Sequence, residues 1–136
     1  MQTRFKKLSE ASNQKSLGLL FFSGPYQSQA PETACKIANA ALDKGYKVQI
    51  FLYMDAANCV LENQKEIHGI FNIGSAFEKL VERGVLIRVC NLCLSVRGTA
   101  KQMMKRKSDI GGRIKRAGTP DLSKIIQETD KFLVIY

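Results

Sequence analysis

Short apolar runs alternate along this chain with segments in which apolar residues recur at helical spacing. The runs at residues 17–22, 48–53, 85–89 and 131–136 contain few polar residues, and the first ends at Ser23-Gly24-Pro25. Their length and their terminators predict strands. Because apolar and polar positions do not alternate within them, we expect strands that are buried on both faces.

Between the strands, apolar residues at helical spacing predict helices at residues 29–44, 74–83 and 120–130, and a further helix beginning at residues 91–96. Gly45 follows the first helix in the position of a C-terminal cap. The segment 98–118 is basic and weakly periodic. It predicts a loop with a helix at about residues 99–107.

This alternation is typical of a parallel sheet with helices on both sides and right-handed crossovers. A chain of 136 residues fits one domain. We therefore expect a single-domain, three-layer α/β/α fold at residues 17–136, with a mostly parallel sheet of about five strands. A flexible basic extension is expected at residues 1–16.

Composition excludes several classes of protein. Hydrophobic residues make up 45% and charged residues 24% of the chain, which argues against a disordered tail, a collagen-like fibre and a disulfide-dense miniprotein. No apolar run approaches the roughly 20 residues of a membrane-spanning helix. The N-terminal segment has no apolar core of a secretory signal. We therefore expect a cytoplasmic protein.

The net charge of +9 comes largely from two segments. Between Arg97 and Arg116, eight basic residues accompany one acid, and the first sixteen residues add a smaller excess. Such a stretch is either a solvated face or a surface that steers acidic partner proteins. It contains no aromatic residue for base stacking and no apolar face, so nucleic acid and membrane are weaker alternatives.

Two of the four cysteines, Cys90 and Cys93, form a CxxC pair directly after the strand at residues 85–89. The start of a helix favours a thiolate, so we expect a lowered pKa at Cys90. Cys93, one helical turn away, is placed to resolve a persulfide or mixed disulfide. The alternative is a pair of cysteines that simply pack between sheet and helix. Zinc is disfavoured, because Cys35, Cys59 and His68 are isolated and no second ligand pair exists.

In parallel sheets, sites lie at the carboxyl ends of the strands, at a switch in strand order. The loops at residues 23–28, 54–58 and 90–93 meet that description. Tyr26, Gln27 and Asp55 are therefore candidates to border a substrate pocket, or else are turn residues and helix caps.

From residue 17 to residue 136 the chain resembles the DsrE/TusD-like (DsrE/DsrF-like) intracellular sulfur-transfer family. The most specific part is Val89-Cys-Asn-Leu-Cys-Leu-Ser-Val-Arg-Gly98, a cysteine that ends a strand with Arg-Gly seven and eight residues later. By resemblance, Cys90 accepts sulfane sulfur as a persulfide, and Arg97 and Gly98 belong to its site. The resemblance also implies a trimer or hexamer, of one chain or of several related chains. Asn91 stands where many members have glycine.

The leading hypothesis is a sulfurtransferase-like protein that relays sulfane sulfur from a donor to an acceptor protein, with Cys90 as the carrier and Cys93 assisting. No metal or organic cofactor is expected. One alternative is a non-catalytic oligomeric module of the same fold that binds a small ligand or a partner protein. The other is a redox protein that cycles Cys90 and Cys93 as a disulfide.

Overall fold

Five strands, four α-helices and two 3₁₀-helices make up residues 13–103 and 113–136, the part of the chain that the computed structural model describes. The strands are β1 (Ser16–Phe21), β2 (Lys47–Leu52), β3 (Leu86–Cys90), β4 (Ile114–Ala117) and β5 (Lys131–Ile135). The α-helices are α1 (Ala30–Asp43), α2 (Ile73–Glu82), α3 (Asn91–Val96) and α4 (Thr119–Glu128). The 3₁₀-helices are η1 (Met54–Val60) and η2 (Ala100–Gln102).

All five strands are parallel and lie in the order β4-β3-β2-β1-β5. From β1 to β4 each crossover moves the chain in one direction across the sheet, whereas the crossover from β4 to β5 returns past β1. Right-handed crossovers in opposite directions place their helices on opposite faces. The predicted α/β fold with a five-stranded parallel sheet is confirmed.

The two faces of β1 show how helices cover the sheet. Phe21 packs against Phe77 of α2, with ring centroids 6.1 Å apart. Gly18, whose position in the strand points to the opposite face, lies against Ile125 of α4. Every residue of β1 is buried, as the lack of polar alternation predicted. The same prediction is wrong for β5, in which no residue is fully buried because the strand lies at the sheet edge.

Gly18 allows α4 and β5 to approach the sheet closely. A Cβ at this position would lie 2.7 Å from Cδ2 of Phe132, its partner in β5, and 3.1 Å from Cγ2 of Ile125. Both distances are shorter than ordinary van der Waals contact. The Phe132 ring therefore occupies the space that any other side chain at position 18 would need.

A polar clamp joins the starts of the first and last strands. The Asp130 carboxylate accepts hydrogen bonds from the Ser16 N–H at 2.8 Å and the Ser16 hydroxyl at 2.9 Å, and the Asp130 N–H donates to that hydroxyl at 3.0 Å. These bonds, above all the one from the Ser16 backbone, lower the pKa of Asp130.

The prediction for segment 98–118 was wrong in one respect, because it contains strand β4. Lys115 and Arg116 occupy the centre of this four-residue strand, so it lacks the apolar run that marks the other four. It forms because it pairs with β3 at the sheet edge, where charged side chains are common. Of the helix expected at residues 99–107, only η2 is found, and residues 104–107 lie outside the described part.

Two other expectations concern the N-terminal segment and membrane-spanning helices. Most of the predicted N-terminal extension, residues 1–12, lies outside the described residues, and β1 already begins at Ser16. Within the described ranges, none of the helices has the length and apolar character needed to cross a membrane.

Replacing Gly18 with alanine should lower the free energy of unfolding by about 1–3 kcal/mol, the usual cost of overpacking a core. The added methyl group would force Phe132 and α4 away from the sheet. Urea denaturation followed by circular dichroism measures the change, with Lys47→Ala at an exposed position of β2 as the control. An unchanged midpoint for Gly18→Ala would show that the contact is easily relieved.

Replacing Asp130 with asparagine should destabilise the fold at neutral pH. Because the native pKa is lowered, the carboxylate contributes stability above its ordinary pKa of about 3.9. That contribution is lost as the pH falls through the native value. The melting temperatures of wild type and Asp130→Asn should therefore differ at pH 7 and converge as the pH falls below the ordinary value and then through the lowered native pKa. Ser16→Ala should reduce the same pH dependence, and a constant difference across this range would contradict the assignment.

Candidate functional site

The candidate site is the turn from β3 to α3, where two thiols lie close together. Cys90 ends the strand, and its Sγ accepts a hydrogen bond from the Cys93 N–H at 3.2 Å, capping the helix. The Sγ of Cys93 accepts one from the Met54 N–H, also at 3.2 Å. The two residues are only 5% and 6% exposed. Each sulfur thus accepts a hydrogen bond from a backbone N–H. The sequence pattern alone does not show the bond from Met54.

Met54 belongs to the loop after β2, which folds over α3. It adopts the left-handed conformation, with φ 55°, which is uncommon for a residue other than glycine. The loop is fixed from its other side by the Ala56 N–H, which donates to the Phe22 carbonyl at 2.9 Å. A Cβ on Gly24 would lie 2.8 Å from the Asp55 carbonyl oxygen. The loops after β1 and β2 are therefore packed together beside the thiols.

Arg97 connects this loop to the helix that carries Cys93. Its Nε donates to Oδ1 of Asp55 at 2.6 Å, and its Nη1 donates to the Cys93 carbonyl at 3.1 Å. The bond to Asp55 is the main reason why the pKa of Arg97 is raised, with smaller contributions from Cys93 and Cys90. A permanent positive charge therefore lies within electrostatic reach of both sulfurs.

The expected lowering of the Cys90 pKa was wrong, because the pKa is raised. Burial disfavours the thiolate most, and the hydrogen bond with the Cys93 side chain adds to it. The N–H groups of Cys93 and Leu92 act in the opposite direction but do not overcome these effects. With six residues, α3 is also too short to present the full dipole of a long helix.

A cavity of about 610 Å³ opens beside Cys90, between the carboxyl ends of β3 and β4 and the start of α4. Cys90 lines it, whereas Cys93 does not. The remaining lining residues come from the ends of strands and the turns that follow them: Tyr53, Asn91, Leu92, Arg116, Ala117, Gly118, Thr119 and Pro120.

Sequence reasoning missed the wall of this cavity that β4 supplies. Ala117 is paired with Cys90 in the sheet, so the residues around it lie beside the thiol. Arg116 is held by a hydrogen bond from its Nη2 to the Ala100 carbonyl. Ile114 and Ala117, which flank two charged residues, are the only sequence signal for a strand here. The signal is weak because the strand has four residues and is stabilised by its pairing with β3.

The structure brings Asp55 and Arg97 to the thiols but places the other sequence candidates differently. Tyr26 lines a second cavity, of about 630 Å³, and its hydroxyl donates to the Phe71 carbonyl at 3.0 Å. Gln27 accepts from the Gly24 N–H at 2.7 Å and so stabilises its own turn. Gly98, with φ 69°, ends α3 in the left-handed conformation that glycine tolerates.

The thiol pair does not lie where the strand order reverses. The reversal is between β1 and β5, whereas Cys90 ends β3, which is two strands away from β1. The expected carboxyl edge of the sheet is correct, but the switch in strand order does not locate these residues. The pairing of β3 with β4, which sequence analysis did not predict, forms the pocket instead.

The other two cysteines are core residues. Cys35 in α1 is 2% exposed and Cys59 in η1 is fully buried. Burial raises the pKa of Cys35 to about 12 and raises that of Cys59 further. Among residues 13–103 and 113–136, no cluster of three or more histidine, cysteine, aspartate or glutamate side chains could hold a metal ion.

Comparison with known proteins identifies the fold and the family. The solved ychN protein from E. coli is similar, with a TM-score of 0.75 over 89% of this chain and 98% of that chain, at 24% sequence identity. No curated protein matches the sequence. The sequence model of the DsrE/DsrF-like family matches residues 15–135, nearly the whole chain. The chain therefore belongs to the DsrE/DsrF-like family.

Proposed function

We propose that the protein is a sulfur carrier, which takes sulfane sulfur as a persulfide on Cys90 and passes it to a thiol of a partner protein. The observation that carries this proposal is the position of Cys90, at the end of a central strand with its side chain on a cavity of about 610 Å³. Membership of a family associated with a sulfur-relay type of fold is consistent with it.

The chemistry needs only a thiolate and space for one more sulfur atom. The Cys90 thiolate attacks the outer sulfur of a donor persulfide, forming a new S–S bond while the donor's S–S bond breaks. The donor leaves as a thiolate, and Cys90 holds the persulfide. An acceptor thiolate then attacks the outer sulfur and restores the Cys90 thiolate. Neither step needs a net oxidant or reductant.

Several groups at the site suit these steps. The N–H of Cys93 points at the Cys90 sulfur and stabilises negative charge on it in the thiolate form, the attacking group of the first step and the leaving group of the second. The Arg97 guanidinium adds a positive charge, moderated by its ion pair with Asp55. Because both cysteines are nearly buried, the thiol is reached through the cavity and is protected elsewhere from bulk oxidants.

Partner proteins with acidic surfaces fit the charge beside the cavity. Arg116 lines it, and Lys115 and Lys101 are exposed nearby in sequence. Positive charge around a reactive group speeds the encounter with acidic partners at low ionic strength. Residues 104–112 of the basic stretch lie outside the described part, so this proposal rests on the neighbouring residues. We further propose a reducing, cytoplasmic location and an oligomeric protein.

One observation favours the second candidate, a non-catalytic binding module. The pKa of Cys90 is raised, chiefly by burial, so little of the thiol is ionised at neutral pH. A module of this kind would use the cavity to bind a ligand and would not load sulfur. The two candidates differ in whether Cys90 acquires sulfur at all.

Replacing Cys90 with serine should abolish sulfur loading. After incubation with glutathione persulfide and rapid desalting, peptide mass spectrometry should find a gain of about 32 Da per sulfur atom on the peptide of Cys90 when Cys93 is serine. The Cys90→Ser protein should show no gain. Cys59→Ala is the matched control, because it removes a thiol from the core and leaves the pair intact. Full loading of Cys90→Ser would refute the proposal.

The rate of Cys90 alkylation should rise with pH to a midpoint above that of a free cysteine in the same buffer. The cause is the raised pKa, since alkylation follows the thiolate fraction. Iodoacetamide labelling resolved by peptide mass spectrometry measures this profile, and the urea-unfolded protein provides the reference. A midpoint below that of the unfolded protein would show that the helix N-terminus outweighs burial.

A further inference from the structure

The relative positions of Cys90, Cys93 and the cavity constrain what happens after sulfur is loaded. Cys90 lines the cavity and Cys93 does not, so the outer sulfur of a Cys90 persulfide has space only on the cavity side. The inner sulfur remains at the helix, where the Cys93 N–H binds it at 3.2 Å. Cys93 is therefore a direct neighbour of the inner sulfur and is not part of the cavity lining.

This arrangement suits displacement at the inner sulfur. Thiol–disulfide exchange proceeds by attack of a thiolate on one sulfur of an S–S bond, with the leaving group on the far side. The leaving sulfur would be the outer one, which faces the open cavity. The attacking group would be the thiolate of Cys93.

We propose, building on the proposed function, that Cys93 resolves the Cys90 persulfide and releases sulfide. The Cys93 thiolate attacks Sγ of Cys90, a disulfide forms between the two residues, and the S–S bond of the persulfide breaks. The outer sulfur leaves with the electron pair as HS⁻. Sulfane sulfur is thereby reduced by two electrons to sulfide, and the two cysteines are oxidised by the same two electrons.

The surroundings of Cys93 fit the role of the attacking group. Its Sγ already accepts the Met54 N–H at 3.2 Å, which stabilises a thiolate. Arg97, bound to the Cys93 carbonyl at 3.1 Å, brings positive charge to the same turn. In ideal helical geometry, residues three apart have Cα atoms about 5 Å apart, within the range that a disulfide spans.

The pair then acts as a branch point with two outcomes. An acceptor thiolate that enters the cavity attacks the outer sulfur, and both cysteines stay reduced. Without an acceptor, Cys93 attacks the inner sulfur, sulfide leaves and the disulfide remains. A further cycle requires reduction of that disulfide by a dithiol, whereas a single turnover does not.

The experiment is an anaerobic single turnover with the reduced full-length chain. Glutathione persulfide is added, excess donor is removed by rapid desalting, and sulfide is trapped with monobromobimane while the protein is sampled for peptide mass spectrometry. In the wild type, sulfide should appear in proportion to the loaded chains, together with a Cys90–Cys93 disulfide formed at the same rate. Cys93→Ser should keep its persulfide and release at least tenfold less sulfide, about 1.4 kcal/mol as a rate ratio.

Two controls separate the steps. Cys59→Ala should behave as the wild type, and a sample without donor should remain fully reduced. If Cys93→Ser fails to fold by circular dichroism, Cys93→Ala replaces it, and the matched rates of sulfide release and disulfide formation in the wild type test the inference independently.

The outcomes distinguish this inference from the function on which it rests. If the wild type and Cys93→Ser both hold a stable persulfide and release no sulfide, the resolving role is refuted while the sulfur-carrier function stands. If Cys90 gains no sulfur in either protein, the carrier function fails, and this inference fails with it. Sulfide released without a Cys90–Cys93 disulfide would also refute it.

Discussion

The strands β1, β2 and β3 lie at the centre of the sheet and are covered on both faces, and this double burial determines where polar chemistry can be placed. A side chain within these strands has little access to solvent, so reactive groups must lie where the strands end. Because all strands are parallel, their carboxyl ends share one edge. The thiols, the Asp55–Arg97 ion pair and the loops after the first two strands are therefore assembled at this edge from distant parts of the sequence.

The thiol pair shows a competition between desolvation and local donors. Burial, followed by the Cys93 side chain, opposes ionisation of Cys90, while the backbone N–H groups of Cys93 and Leu92 favour it, and burial is the strongest of these effects. Asp55 keeps Arg97 in place but also offsets part of its charge. The Cys90 thiol thus ionises weakly but has fixed hydrogen-bond donors beside it. The rate at which it reacts therefore depends on the molecule that enters the cavity as well as on the thiol itself.

The sequence predicted those features of the fold and site that depend on strong local signals. The apolar runs around Leu19, Ile50 and Ile87 marked the central strands, and the strand-end rule placed Asp55 and Cys90 at the same edge of the sheet. Strand β4 was missed because its stability comes from pairing with β3 and not from its own four residues. The sign of the Cys90 pKa shift was wrong because burial depends on the packing of η1 over α3, which no local pattern reveals. Tyr26 lines a different cavity, together with residues of the segment that follows η1.

The hydrogen bonds between Ser16 and Asp130 hold the starts of β1 and β5 together at the amino-terminal edge of the sheet. Ser16 begins β1 at the amino edge, and a six-residue strand separates that edge from the carboxyl edge by roughly 20 Å. Tyr136 instead ends at the carboxyl edge, where its ring stacks on Phe22 with centroids 6.2 Å apart. The described part of the chain therefore enters the sheet at the edge opposite the thiols. An affinity tag or reporter fused after Tyr136 emerges at the same edge as the cavity, where it would stand in the approach of a partner.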